Sequence, residues 1–131
     1  LIGNRSCLQT SPPENTSCLD TIDATLVAAE GLFQKAAADG VTDVIYFFYP
    51  HLPQGILTGP STNATLDYAY PIVKENCESF EGLRCHFIDT RPAFEGHADY
   101  IGPDGIHPTL GGSTAIADLI WGVMVQECLA Q

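Results

Sequence analysis

Two residues stand in a pattern that can move a proton: Asp104 and His107, within Tyr100-Ile-Gly-Pro-Asp-Gly-Ile-His-Pro-Thr-Leu-Gly-Gly112. A histidine that takes a proton from a hydroxyl must present one ring nitrogen to it. The other nitrogen must donate to an acceptor that fixes the tautomer and the ring orientation. Asp104, in Asp-x-x-His spacing, is within local reach to be that acceptor, and its charge favours the imidazolium as it forms. Gly102, Pro103 and Gly105 let the loop turn tightly. Pro108 suits the first turn of a helix and Thr109 its cap, so the histidine projects from a loop that opens into a helix. A lone Asp-x-x-His would read as a turn aspartate beside a surface histidine. The longer Asp-Gly-Ile-His-Pro-Thr, followed by Gly111-Gly112 and a helix, is more specific.

That segment resembles the last block of the SGNH (GDSL-like) hydrolases, in which Asp and His in Asp-x-x-His complete a catalytic triad. Leu1-Ile-Gly-Asn4 resembles the same family's strand end bearing Gly-x-Asn-Asp, although Arg5 stands where Asp is usual and Ile2 where the first Gly is. By this resemblance His107 is general base and then acid, Asp104 orients it, and Asn4 contributes to the oxyanion hole. A loop asparagine, or a glycosylated one, is the alternative at Asn4. The resemblance implies an α/β fold, a three-layer α/β/α sandwich with a flavodoxin-like parallel sheet, of which residues 1–131 supply the C-terminal portion as a single domain fragment. It implies hydrolysis of carboxylic esters through an acyl-serine intermediate, with a small ester as substrate and no metal or cofactor. The family's Gly-Asp-Ser block is absent from the sequence. The nucleophile is therefore expected from an N-terminal fragment or a companion chain. The start at Leu1, without an initiator Met, reads as a processed or partial product. A non-catalytic secreted binding or assembly module of the same fold is the alternative.

The serines present do not stand in for the missing one. Ser61 lies in a loop without a strand–turn–helix context, Ser113 faces an ordinary helix start, and Ser6, Ser11, Ser17 and Ser79 sit beside cysteines or in loops. His51, in Tyr49-Pro-His-Leu-Pro53 after the central strand, is a substrate-pocket candidate. Asp89 and Arg91 are placed to form a loop ion pair.

Composition narrows the partners. The net charge is −11, from 16 acidic and 5 basic residues, and the Lys and Arg are scattered. Nucleic-acid binding needs clustered bases to neutralise phosphates, so no nucleic acid is expected. No apolar run approaches the roughly 18–20 residues of a membrane span. Cys7 with Cys18, and Cys77 with Cys85, bracket short loops that disulfides can close. Such bridges belong to oxidising compartments, which points to a secreted, extracellular or periplasmic protein; buried free thiols are the alternative. Cys128 is left over.

The elements that must position the site follow from periodicity. Ile22, Leu26, Ala29, Phe33 and Ala36 recur at helical spacing after a cap at Ser17 or Asp20, and Gly40 ends that helix. Val41 to Tyr49 reads as a strand covered on both faces. Leu66 to about Phe80 predicts a second helix, bent or started late at Pro71, and Arg84 to Asp89 a short strand. Thr90 to Thr109 reads as loop, and Leu110 to about Leu129 as the last helix, with Ile116, Leu119, Ile120 and Val123 inward. Leu1-Ile2 reads as the tail of another strand. Alternating helices and strands imply a parallel sheet. Two strands and a stump leave an open edge that something else is expected to complete.

Overall fold

Helix α1 (Thr16–Ala38) starts one residue after Asn15, whose side-chain oxygen accepts from the N–H groups of Ser17 and Cys18 at 3.1 and 3.3 Å. The cap is therefore Asn15, not Ser17 or Asp20: its extended backbone lets the short amide reach forward to the free N–H groups. At the other end Gly40 takes φ +85°, the left-handed conformation that closes a helix. In the computed structural model, which describes residues 7, 15–54 and 61–129, there follow β1 (Asp43–Phe47), α2 (Thr62–Glu78), β2 (Arg84–Ile88), the short α3 (Arg91–Phe94), a 3-10 turn (Ala98–Tyr100) and α4 (Leu110–Gln126). The protein is thus a mixed α/β chain.

Strands β1 and β2 pair in parallel, with Asp43 opposite Arg84 and Phe47 opposite Ile88, and α2 makes the crossover. Both strands are shorter than their apolar runs because the ladder extends only as far as its partner. Helix α2 begins four residues earlier than its apolar pattern and runs through Pro71, whose side chain is exposed. The proline removes one hydrogen bond without ending the helix.

The core lies between α1, α2 and the sheet face that carries Val44, Tyr46, Cys85 and Phe87. Ile22 and Phe33 of α1 and Leu66, Ala69, Tyr70 and Val73 of α2 are buried there. Disulfides Cys7–Cys18 and Cys77–Cys85 tie the start of α1 and the end of α2, with Cα atoms 4.8 and 5.3 Å apart. Cys128 is a free, exposed thiol. At the C-terminal end of the strands, the Thr90 hydroxyl donates to the Phe48 carbonyl at 2.6 Å, and the Tyr70 hydroxyl accepts from the Thr90 N–H at 3.2 Å. This buried network holds the two strand exits together.

Two expectations are corrected. The strand β1 is not fully covered on both faces: Asp43 to Tyr46 are half-buried and Phe47 is exposed. In α4, Ile116 packs against the core, but Leu119, Ile120 and Val123 are only half-buried, and Gly112 alone is fully buried. The strand tail at Leu1-Ile2 lies outside the described residues. Among the described residues no helix is long and apolar enough to cross a membrane.

Candidate active site

The loop between the 3-10 turn and α4 is built as a small hairpin. Ile101 and Pro108 form an antiparallel bridge, and the Gly102 N–H donates to the His107 carbonyl at 2.8 Å. Between them the chain reverses through Gly105, at φ +82°, where glycine carries no Cβ penalty. Pro108 therefore lies in the bridge and not in the first turn of the helix, which begins at Leu110. Thr109 caps α4 as expected, its hydroxyl accepting from the Gly112 N–H at 3.4 Å while donating to the Asp99 carbonyl at 2.8 Å. Gly112 admits no side chain, because a Cβ there would overlap the Tyr100 carbonyl oxygen. The helix start and the loop are thereby packed into one unit.

This unit brings Asp104 and His107 together. Asp104 Oδ2 lies 2.5 Å from His107 Nδ1, and Oδ1 accepts from the N–H groups of Ile106 and His107, both at 3.0 Å. The His107 hydrogen bond, with the two backbone donors behind it, lowers the Asp104 carboxyl to a pKa of about 2. A carboxylate ionised in this way keeps the Nδ1 proton in place and leaves Nε2 as the nitrogen that can accept. The His107 side chain is 77% exposed, so Nε2 is accessible. Among the described residues no serine hydroxyl is hydrogen-bonded to His107.

Beside the pair opens a cleft of about 580 Å³, lined by Tyr46 to Pro50 at the end of β1, Thr25 of α1, Phe94, Ile101, and Ser113 and Ile116 of α4. Ile106 and Pro108, on either side of His107, also line it. The histidine therefore stands at the rim of an apolar hollow.

His51 is placed elsewhere. Its Nε2 lies 2.7 Å from Asp67 Oδ1, which also accepts from the Arg91 guanidinium at 2.7 Å. Arg91 turns its other donors to Asp89, the ion pair expected from sequence, and stacks over the Tyr70 ring at 3.7 Å. Arg91 holds the Asp89 carboxyl below its ordinary value. Burial pushes Asp67 up, but the hydrogen bonds from His51 and Arg91 outweigh it and the carboxyl is lowered. His51 lines a smaller hollow of about 370 Å³ with Asp89, Arg91, Pro92, Phe94 and Glu95; Phe94 separates it from the larger cleft. Asn4 lies outside the described residues.

Sequence reasoning missed Asp67 and Tyr70, which come from α2 to clasp the two strand exits, and it missed Phe94, Ile101 and Ile116 in the cleft. The only signal for the latter was the isoleucine pair that brackets the Pro-Asp-Gly turn. Among the described residues no group of three or more His, Cys, Asp or Glu is arranged to hold a metal ion. No protein-family model matches the chain, and no curated protein or solved structure matches it.

Proposed function

We propose that the chain is the C-terminal part of an SGNH-type serine hydrolase domain that cleaves carboxylic esters. The observation that carries this reading is the Asp104–His107 pair, fixed at 2.5 Å in a turn that opens into α4 at the rim of the apolar cleft. In the proposed reaction a serine from a companion polypeptide attacks the ester carbonyl while His107 Nε2 takes its proton. The C–O bond to the alcohol then breaks, and His107 returns the proton to that oxygen. Water repeats the sequence on the acyl-serine and releases the acid. Asp104 holds the ring and offsets its positive charge, and Asn4 donates to the carbonyl oxygen as negative charge develops. In this reading β1 and β2 are the last strands of a parallel sheet layered between helices, and the two disulfides fit a secreted protein.

The test is hydrolysis of a short-chain aryl ester by the protein assembled with its companion polypeptide, with and without His107→Ala. Loss of a triad member is expected to lower turnover by about 10⁴-fold or more. Activity that survives within about tenfold would sink the assignment, and a failure of a serine-directed phosphonate to label the assembly would favour the non-catalytic binding module.

A further inference from the structure

We infer that the cleft beside His107 binds an uncharged apolar chain of medium length, and that the substrates of this site are esters carrying such a chain, not acetylated sugars or charged esters. The ester bond comes from the proposed function, on which this substrate class rests; the chain site comes from the cleft itself. The hairpin that carries His107 forms one wall. Ile101 and Pro108, its bridged pair, both line the cleft, and so does Ile106. The Ile106 N–H donates to Asp104 Oδ1 at 3.0 Å, while Oδ2 of the same carboxylate holds His107 Nδ1. One carboxylate therefore fixes both the ring and the apolar wall beside it. A chain lying against Ile101 and Ile106 brings its head group to the rim where the histidine is exposed.

Charge decides what the chain can be. The protein has 16 acidic and 5 basic residues, yet none of the described lining residues is Asp, Glu, Lys, Arg or His. Besides tyrosines, the lining hydroxyls are those of Thr25 and Ser113, and the Thr25 hydroxyl donates to the Thr21 carbonyl at 2.8 Å. A sugar ring needs several hydrogen-bond partners in its site, and a charged group needs a counter-charge, because burial strips both of water. These walls suit neither. The neighbouring hollow is the opposite: it shares Phe94 with the cleft but is lined by His51, Asp89, Arg91 and Glu95. Phe94 and Ile101 are buried, at 7% and 8% exposed, so the apolar walls are anchored in the core. At about 580 Å³ the cleft falls within the roughly 300–1,000 Å³ of small-molecule sites, far more than an acetyl group fills.

The test needs no nucleophile. Butanol, hexanol and octanol are titrated into the 131-residue chain and followed by the methyl NMR signals of Ile101, Ile106 and Ile116. These signals and the His107 ring should shift together, with affinity rising by about two- to fourfold per added CH₂. An acetylated methyl glucoside at the same concentration should move none of them. Ser113→Asp places a carboxylate in the cleft at the first turn of α4, which has no acid and where one suits the helix. The melt should not fall, while octanol affinity should drop by about tenfold. Affinity that is flat with chain length, or shifts that gather at exposed Leu32 and Trp121 instead of the cleft, would overturn the proposal. In the protein assembled with its companion, an aryl octanoate and octyl acetate separate a chain on the acyl side from one on the alcohol side. The favoured ester should exceed its short counterpart, aryl acetate or methyl acetate, by about tenfold or more in kcat/KM. Acetates cleaved as fast as both long esters would overturn the apolar site and leave the esterase standing. Octanol binding in the cleft without cleavage of any ester would leave the site standing and count against the esterase.

Discussion

Asp104 accepts three hydrogen bonds, and that governs how it titrates. Its pKa of about 2 lies below the usual carboxylate value. A carboxyl depressed by folding contributes stability that is full above its unfolded pKa of about 3.9 and is lost as pH falls through the folded value. Asp104→Asn should therefore lower the melting temperature at pH 6 and have little effect at pH 2. Carboxyl NMR should show the parent titrating near 2 and His107→Ala shifting that midpoint upward. A parent midpoint near 3.9 would mean that the pair is not formed in solution. The pair was legible in the sequence because both members lie in one turn, where spacing stands in for distance. His51 was less so. Its partner, Asp67, comes from α2, and the Arg91 that shares that carboxylate comes from beyond β2, and no local pattern announces contacts across that separation.

At the scale of the elements, the glycines of α4 make a matched pair of tests. Gly112→Ala places a methyl against the Tyr100 carbonyl and the Pro108 ring, so the helix start must move away from the histidine loop. Overpacking of this kind costs about 1–3 kcal/mol, and His107 should lose its register with Asp104, visible as a rise in the Asp104 titration midpoint. Gly122→Ala meets nothing within 4 Å and sits in the helix interior, where Ala is better than Gly by about 1 kcal/mol. Chemical denaturation should show opposite signs for the two variants; equal effects would mean that Gly112 is not packed as described. The three long helices were readable to within a few residues, since capping and periodicity are local; the short α3 and the 3-10 turn fell in the stretch read as loop. The start of α2 was not: Thr62 and Thr65 are buried polar residues, and the Thr65 hydroxyl donates to the carbonyl of Cys7, remote in sequence, at 2.8 Å.

For the whole molecule, the alternation of helices and strands was legible, but coverage of the sheet was not, because an apolar run shows that a strand favours burial without saying how far each face is covered. The disulfides can be tested directly. Cys77–Cys85 closes a short loop with a sequence separation of 8; its loss through paired Ala substitutions should cost about 2–3 kcal/mol. Calorimetry should register this as a fall of roughly 10 °C in the melting temperature. An unchanged melt would mean that the bridge adds nothing beyond the packing of Cys77. Both bridges, however, fasten the half of the protein built from α1, α2 and β2, and α4 has no covalent tie. Unfolding is then free to proceed in stages. The last helix, resting on the core mainly through Ile116 and Ala115, can detach as its own cooperative unit and take the histidine loop with it while the stapled half remains native. A protein so arranged can lose the Asp104–His107 pair without unfolding as a whole.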